Sequence, residues 1–168
     1  MRRRLEGKVA IVVGAGSIGS EVSNGSAAAI TFAREGAVVM CADRNPAAGR
    51  RTLSQIEDAG GSACSFEADV RDAGQIKAMV ARCIELYGRI DILHHNVGVE
   101  EFGDLLEQTE ESWDRVHAIN LKGPMLTARE VMPHMIRQGG GSIINVSSIA
   151  SRKWSPMQFL SYSSSKAA

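Results

Sequence analysis

Val9-Ala-Ile-Val-Val-Gly-Ala-Gly-Ser-Ile-Gly19 joins a run of apolar residues to a glycine-rich turn. The apolar run predicts a short strand that is buried on both faces. The glycines allow the backbone to turn sharply and to approach a ligand closely. Asn24-Gly25 and the helical stretch from Ala27 to Glu35 follow. Because such a loop between strand and helix offers free amides to a pyrophosphate, we predict a dinucleotide-binding site here.

Apolar strands and amphipathic helices continue to alternate along the chain. Strands are predicted at Val9 to Val13, Val38 to Ala42, Ser62 to Glu67, Ile90 to His94 and Ser142 to Val146, all buried on both faces. Helices are predicted at Gly25 to Glu35, Pro46 to Ala59, Asp72 to Tyr87 and Glu110 to Gln138, the last with a break at Asn120 to Pro124. This alternation predicts an α/β fold of the Rossmann type, a doubly wound parallel sheet with helices on both faces. We expect a single dinucleotide-binding domain over residues 1–168, with ligands at the carboxyl ends of the strands.

Composition argues against several classes of partner. The 168 residues carry 19 basic and 19 acidic side chains, so no net field favours nucleic acid or an anionic membrane. The apolar runs are too short to span a bilayer, and we expect a cytoplasmic protein. Cys41, Cys64 and Cys83 form no C-x-x-C pair and are expected to be reduced. His94 and His95 are neighbours on a strand and face opposite sides, so no metal site is expected.

Asp43 closes the second predicted strand. A carboxylate there can accept hydrogen bonds from both hydroxyls of an adenosine ribose and repels a 2′-phosphate, which favours NAD over NADP. Arg44 offers the opposite possibility, because a guanidinium can pair with that phosphate. A structural alternative is also open, in which Asp43 is a turn residue or caps the helix that begins at Pro46.

Tyr162-Ser-Ser-Ser-Lys166 places a phenol and an ammonium four residues apart. On a helix this spacing puts both side chains on the same face. A nearby ammonium stabilises a phenolate, so Tyr162 and Lys166 are predicted to form an acid–base pair. The structural alternative is an ordinary pair on a helix surface, which contributes only a few tenths of a kcal/mol.

Six short motifs occur in order along the chain and together form one recognisable pattern. They are Gly14-Ala-Gly-Ser17, Asp69-Val70, His95-Asn-Val-Gly98, Asn120-Leu-Lys-Gly123, Asn145-Val-Ser-Ser148 and Tyr162-Ser-Ser-Ser-Lys166. In these motifs, from Gly7 to Ala168, the sequence resembles the short-chain dehydrogenase/reductase family. The resemblance implies an NAD(P)-dependent oxidoreductase that interconverts a secondary alcohol and a ketone by hydride transfer. The implied substrate is therefore a small-molecule alcohol or ketone.

The resemblance implies roles for a few polar side chains. Tyr162 would be the general acid and base, and Ser148 would hydrogen-bond the substrate oxygen. Lys166 would stabilise the phenolate and hold the nicotinamide ribose, and Asn120 would support a proton-relay water. Ser147 is the alternative to Ser148, because the spacing from Ser148 to Tyr162 is one residue longer than is common. From the residues alone, the serines could instead cap a strand and Asn120 could end a helix.

The resemblance also implies a set of cofactor-binding residues, in which Asp69 and Val70 contact the adenine. The set is Gly14, Ser17, Asn24, Gly25, Asp43, Asp69, Val70, Asn96, Gly98, Tyr162 and Lys166. Besides the longer spacing from Ser148 to Tyr162, two features depart from the family pattern. The glycine-rich loop is longer than usual, with Ser23 in the place of a glycine, and His95 replaces an asparagine at the end of the fourth strand.

Family members continue beyond the equivalent of Ala168, so the resemblance implies that the carboxyl-terminal strands and the substrate lid are missing. The family usually forms homodimers or homotetramers through the helix before the fifth strand and the helix at Tyr162. The shortened second helix weakens that expectation. The alternative function is a truncated, catalytically inactive module that binds nucleotide or modulates an oligomer. Apolar residues before Tyr162 could line the substrate site, or cover the core or a subunit contact: Trp154, Pro156, Met157, Phe159 and Leu160.

Overall fold

The computed structural model describes residues 3–17, 21–153 and 158–168, built around a sheet of parallel strands. The strands are β1 Val9–Val13, β2 Val38–Asp43, β3 Ser62–Glu67, β4 Ile92–His95 and β5 Ser142–Asn145. Their order in the sheet is β3-β2-β1-β4-β5, with β1 in the middle. Val9 pairs with Val38, and Ala10 pairs with Ile92. The predicted Rossmann-type class is confirmed, and the carboxyl ends of all five strands meet at one edge.

Helices cover both faces of this sheet. They are α1 Asn24–Arg34, α2 Pro46–Asp58, α3 Ala73–Tyr87, α4 Glu110–His117, α5 Gly123–Arg137 and α6 Leu160–Ala167. On one face Ile56 of α2 packs in a cluster with Val12 of β1. On the other face Met79 of α3 and Val131 of α5 pack in a cluster with Ile11. Within the described ranges, no helix combines the length and the apolar character needed to cross a membrane.

Side-chain caps fix where the helices begin. Ser23 accepts the Ser26 amide at the start of α1, and Asn45 accepts the amides of the first turn of α2. Asp72 and Thr109 cap α3 and α4 in the same way. Each cap satisfies backbone amides that have no partner inside the helix. These four helices therefore start within one residue of the predicted positions.

The two outer strands differ from the sequence prediction. β1 is buried at every position, as predicted, but β3 and β5 are partly exposed. In β5, Ile144 leaves 40% of its surface accessible. The expectation of burial on both faces is therefore wrong for β3 and β5. Both strands lie at the edges of the sheet, so each has a neighbouring strand on one side only.

The predicted break between two helices is instead a π-helical turn at Ala118–Lys122, which joins α4 to α5. Its Gly123 amide donates to the Ala118 carbonyl, five residues back. Pro124 has no N–H to donate to the Asn120 carbonyl, so an α-helical pattern cannot continue there. Pro124 lies in the first turn of α5, as predicted. The wider turn keeps the helix continuous and places Asn120 in the interior.

At the amino end of the sheet, Asp91 ties β1 to β4. Its carboxylate accepts the Val9 amide at 3.0 Å and two Arg89 nitrogens at 2.8 and 2.6 Å, and Lys8 lies 3.4 Å away. Burial of the Asp91 side chain alone would raise its pKa. The hydrogen bonds from Arg89 and Val9 outweigh that effect, and the pKa of Asp91 lies below its ordinary value of 3.8.

Replacing Asp91 with asparagine should lower the free energy of unfolding by about 1–3 kcal/mol at pH 7, because it removes charge-assisted hydrogen bonds. The folded-state pKa is lowered, so this stabilisation is present above the ordinary pKa and is lost as pH falls through the folded pKa. Urea unfolding from pH 7 to pH 3 measures the difference. Asp58→Asn at an exposed site is the matched control, expected within about 0.5 kcal/mol of wild type. A difference for Asp91→Asn that stays constant down to pH 3 contradicts this account.

Candidate active site

A cleft of about 360 Å³ lies at the carboxyl ends of the central strands. It is open between the glycine-rich loop, the end of β2 and the segment after β4. Six of the predicted cofactor-binding residues line it: Gly14, Asp43, Asp69, Val70, Asn96 and Gly98. Residues that the sequence analysis did not assign to the cofactor also line it: Gly16, Ser23, Arg44, Asn45, Ala48, Ala68, Val97, Val99 and Ile119. The position matches the site predicted from the parallel sheet.

The glycine-rich loop packs tightly against the first helix. Gly14 has φ +79°, and a Cβ there would lie 2.9 Å from the Val97 side chain. A Cβ on Gly25 would lie only 1.9 Å from the Gly14 carbonyl oxygen, so only glycine fits at this position in the first turn of α1. Ser17 is fully buried, and Asn24 is exposed on the first turn of α1. Gly19 of the predicted motif lies outside the described residues.

Asp43 connects the loop to the end of β2. Its carboxylate accepts the Gly16 amide at 2.8 Å and the Asn45 amide at 2.9 Å. Asn45, not Asp43, caps α2, which removes the helix-cap alternative for Asp43. The turn alternative is present in the bond to Asn45, but the same carboxylate also borders the cleft. Arg44 lies beside it on the cleft wall and is exposed.

Asp69 lies on the far wall of the cleft and is paired with a neighbour. Arg71 donates to its carboxylate at 2.6 Å, and this hydrogen bond is the main cause of the lowered pKa of Asp69. Val70 packs beside Gly123, where a Cβ would lie 3.0 Å from the Val70 side chain. The start of α5 therefore approaches the cleft closely. Asp69 and Val70 present a carboxylate and an apolar edge to this end of the cleft.

Asn120 is buried and makes hydrogen bonds with two other segments. Its side-chain oxygen accepts the Val99 amide at 2.9 Å, and its side-chain nitrogen donates to the Val99 carbonyl at 2.9 Å. The same nitrogen donates to the Ser165 hydroxyl of α6 at 3.0 Å. The alternative that Asn120 merely ends a helix does not hold, because its amide bonds distant segments and the helix continues through the π-helical turn.

Lys166 and Tyr162 share one face of α6, as their spacing predicted. The Lys166 ammonium lies 5.8 Å from the centre of the Tyr162 ring and donates to the Val146 carbonyl at 2.8 Å. A Cβ on Gly98, which lines the cleft, would lie 3.1 Å from the Lys166 nitrogen. Burial lowers the pKa of Lys166 from its ordinary value of 10.5, and the Glu100 carboxylate partly opposes this. The ammonium therefore lies close to both Gly98 of the cleft and the Tyr162 ring.

The two serines after β5 make different contacts. Ser147 donates to the Lys166 carbonyl at 2.8 Å, so its hydroxyl anchors the end of α6. Ser148 accepts the Ala150 amide at 3.2 Å and caps the 3₁₀ turn Ile149–Ser151, which packs against α6. Ser148 therefore has a capping role, but for the 3₁₀ turn and not for the strand end that the sequence analysis considered, and its hydroxyl hydrogen is not needed for that cap.

One aromatic ring stands next to the tyrosine, and a second packs against the first. Phe159 lies 5.8 Å from the Tyr162 ring and 4.9 Å from Phe102, and both of its contacts are tilted or edge-on. Leu160 begins α6 and is half-buried. The other residues proposed for an apolar wall lie outside the described residues: Trp154, Pro156 and Met157. Phe102 is 66% exposed, so an apolar surface borders Tyr162.

His95 is buried beneath this site, on the opposite side of the sheet from His94. His94 packs edge-on against Phe32 of α1 at 5.8 Å, as the alternation of strand side chains requires. Burial is the main cause that lowers the pKa of His95 to about 4, so the ring is neutral at pH 7. Within residues 3–17, 21–153 and 158–168, no three His, Cys, Asp or Glu side chains cluster so that they could hold a metal ion.

Sequence reasoning left Ser23 and Ser165 without a role. Ser23 lines the cleft, caps α1 and donates to the Gly16 carbonyl at 2.8 Å. A serine directly before a helical run is a recognised cap signal and could have identified it. Ser165 is the α6 partner of Asn120, and no local pattern in the sequence indicates that contact.

A family model, related sequences and solved structures all match this chain, and they agree on one family. Residues 8–168 match the family model described as short chain dehydrogenase. An uncharacterized oxidoreductase of Thermotoga maritima is 40% identical over 164 residues, which cover 97% of this chain and 62% of the relative. The 3-oxoacyl-(acyl-carrier-protein) reductase FabG of the same organism is 38% identical, with 98% of this chain and 64% of the relative covered.

A solved structure has the same fold. The 7α-hydroxysteroid dehydrogenase complexed with NADH and 7-oxo glycochenodeoxycholic acid matches with a TM-score of 0.91 at 31% identity. The match covers 99% of this chain and 62% of that one. This chain therefore spans about three fifths of the length of these relatives. With a family match over almost the whole chain and relatives at this level of identity, the chain belongs to the short-chain dehydrogenase/reductase family.

Proposed function

We propose that this chain takes part in the NAD(P)-dependent interconversion of a secondary alcohol and a ketone. One observation carries the proposal: the Lys166 ammonium lies between the dinucleotide cleft at Gly98 and the ring of Tyr162. An acid–base residue beside a cofactor site is what hydride transfer to a carbonyl requires, because negative charge develops on the carbonyl oxygen. A bound nicotinamide would supply or accept the hydride.

The residues of the cleft fit a dinucleotide. Gly14, Gly16 and Gly98 line the cleft without side chains, so a ligand can lie close to their backbone. A Cβ at each would meet a neighbouring protein atom within about 3 Å, so the packing of the protein also requires glycine there. Asp43 can accept hydrogen bonds from the ribose hydroxyls, and Asp69 can accept one from an adenine amino group. The proposed cofactor is therefore NAD, because the Asp43 carboxylate disfavours a 2′-phosphate, with Arg44 as the feature that favours NADP.

In the proposed mechanism the Tyr162 phenol donates its proton to the ketone oxygen, and its phenolate takes the proton back in the reverse reaction. The Lys166 ammonium, which lies 5.8 Å from the centre of the Tyr162 ring, would favour that phenolate by Coulomb attraction. Ser148 donates a second hydrogen bond to the substrate oxygen. These two donors hold the oxygen while the charge on it changes.

Asn120 and Lys166 restore the proton of the tyrosine. Pro124 has no N–H, so the Asn120 carbonyl lacks its ordinary donor in an α-helix. That carbonyl can instead accept a hydrogen bond from a water that also contacts the Lys166 ammonium. The Asn120 side chain does not take part, because Val99 and Ser165 already occupy it. In the proposal, the Asn120 side chain holds α6 in place through its bond to Ser165.

A second function is favoured by one observation: every residue that lines the cleft lies between Gly14 and Ile119, ahead of α6. This arrangement supports nucleotide binding by residues that precede the Tyr162 helix. A catalytically inactive module that binds nucleotide or modulates an oligomer is consistent with this division. Exposed apolar side chains on α4 and α5 suit a homodimer or homotetramer contact: Trp113, Met125, Met132 and Ile136.

Tyr162→Phe should lower turnover of secondary alcohols or ketones by at least about 10²-fold, because it removes the proton donor and leaves the ring. Binding of NADH, measured by fluorescence titration, should be unchanged. The matched control is Tyr87→Phe, which removes the hydroxyl of the other tyrosine from α3, away from the cleft. Undiminished turnover in Tyr162→Phe contradicts the mechanism. A wild-type chain that binds NADH without turnover supports the second function instead.

Asp43→Ser should reduce the preference for NADH over NADPH. In the wild-type chain, NADH at a hundredfold excess over its Kd adds about 2.7 kcal/mol to the free energy of unfolding, and NADPH adds less. In the variant the rise in Tm with NADH should fall, while the rise with NADPH is kept or grows. Glu67→Gln is the control, because Glu67 is the exposed register partner of Asp43 on β3. An unchanged ratio of the two effects would mean that Asp43 does not select the cofactor.

A further inference from the structure

Two side chains of helix α2 donate hydrogen bonds to the backbone of the glycine-rich loop. The Thr52 hydroxyl donates to the Ala15 carbonyl at 2.7 Å. The Arg51 guanidinium donates to the Ser17 carbonyl through two nitrogens, at 2.5 and 3.2 Å. Thr52 is fully buried, so its bond is shielded from water, and the half-buried Arg51 makes partly buried bonds. Two consecutive residues of α2 thus hold the loop on either side of Gly16.

Other contacts complete the support of the same three loop residues. The Gly16 amide donates to Asp43, and the Ser17 amide donates to the Ala48 carbonyl of α2 at 3.4 Å. A Cβ on Gly16 would lie 2.7 Å from the Ala48 Cβ, so the loop lies directly on the first turns of α2. The backbone of Ala15 to Ser17 is therefore held mostly by β2 and α2, the elements that follow the first helix.

The position of the Thr52 hydroxyl indicates more than local packing. A threonine inside a helix commonly donates to the carbonyl four residues before it in its own helix. Thr52 instead donates across to the loop. Arg51 likewise directs its charged group to a backbone carbonyl of the loop. Both side chains therefore donate their hydrogen bonds to the backbone of the glycine-rich loop.

We infer that Arg51 and Thr52 are positioning residues that hold the glycine-rich loop in its ligand-binding shape. The inference rests on the proposed function, since the loop is taken as the binding site for the cofactor pyrophosphate. A loop that is ordered before the ligand arrives does not lose that conformational freedom on binding, so affinity rises without any new contact to the ligand.

The test compares loop motion and NADH affinity in matched variants of the full chain. Arg51→Met removes the guanidinium and keeps the stem, and Arg50→Met changes the exposed neighbour as a control. Thr52→Val removes the hydroxyl and keeps the shape, and Thr52→Ser restores a hydroxyl. Hydrogen exchange of the Gly16 and Ser17 amides is read by NMR without cofactor, and the Kd for NADH by fluorescence titration.

Exchange of these two amides should become about fivefold to tenfold faster in Arg51→Met and Thr52→Val, which each lose hydrogen bonds that hold the loop. The Kd for NADH should rise by about the same factor. Arg50→Met and Thr52→Ser should stay near wild type in both measurements.

Unchanged exchange in both variants overturns the inference. Faster exchange with an unchanged Kd also overturns it, because the loop is then held for stability alone. If the wild-type chain does not bind NADH, the proposed function fails and the role of the two residues toward NADH fails with it. The exchange comparison then still decides separately whether α2 holds the loop.

Discussion

The side-chain amide of Asn120 holds together the segments on which the candidate catalytic site depends. It bonds both backbone groups of Val99 and the hydroxyl of Ser165, and so joins the segment after β4, the π-helical turn and α6. A buried amide with all three contacts satisfied is stable only in one arrangement. Loss of that arrangement would release α6, and the Lys166 ammonium would leave the end of the cleft.

In the proposed function the molecule divides into a nucleotide-binding part and a catalytic part that meet at Gly98. The first part is built by β1, β2 and the loop that α2 supports, and it needs only the parallel sheet and close backbone packing. The second part depends on α6, a helix of eight residues that is too short to be stable by itself. Its position comes from the bond of Ser165 to Asn120, together with the bonds of Ser147 and Lys166 between α6 and the chain around β5.

Sequence patterns predicted the elements well and the site contacts unevenly. β1 and the cleft beside it follow from a run of apolar residues and the glycines after it, which are local signals. The prediction of a helix break at Asn120 was wrong. The sequence shows that Pro124 lacks an N–H, but it does not show that a π-helical turn accommodates this proline. The contacts of Thr52 depend on which elements pack together, and no local pattern encodes them.

The central claim is that one cleft brings a dinucleotide to the tyrosine of α6. A crystal structure of this chain with NADH tests it most directly. We expect the adenosine ribose at Asp43, the pyrophosphate at Gly14 to Gly16, and the nicotinamide ring beside Gly98 and the Lys166 ammonium. NADH bound elsewhere, or bound with its nicotinamide away from Lys166 and Tyr162, would contradict the account.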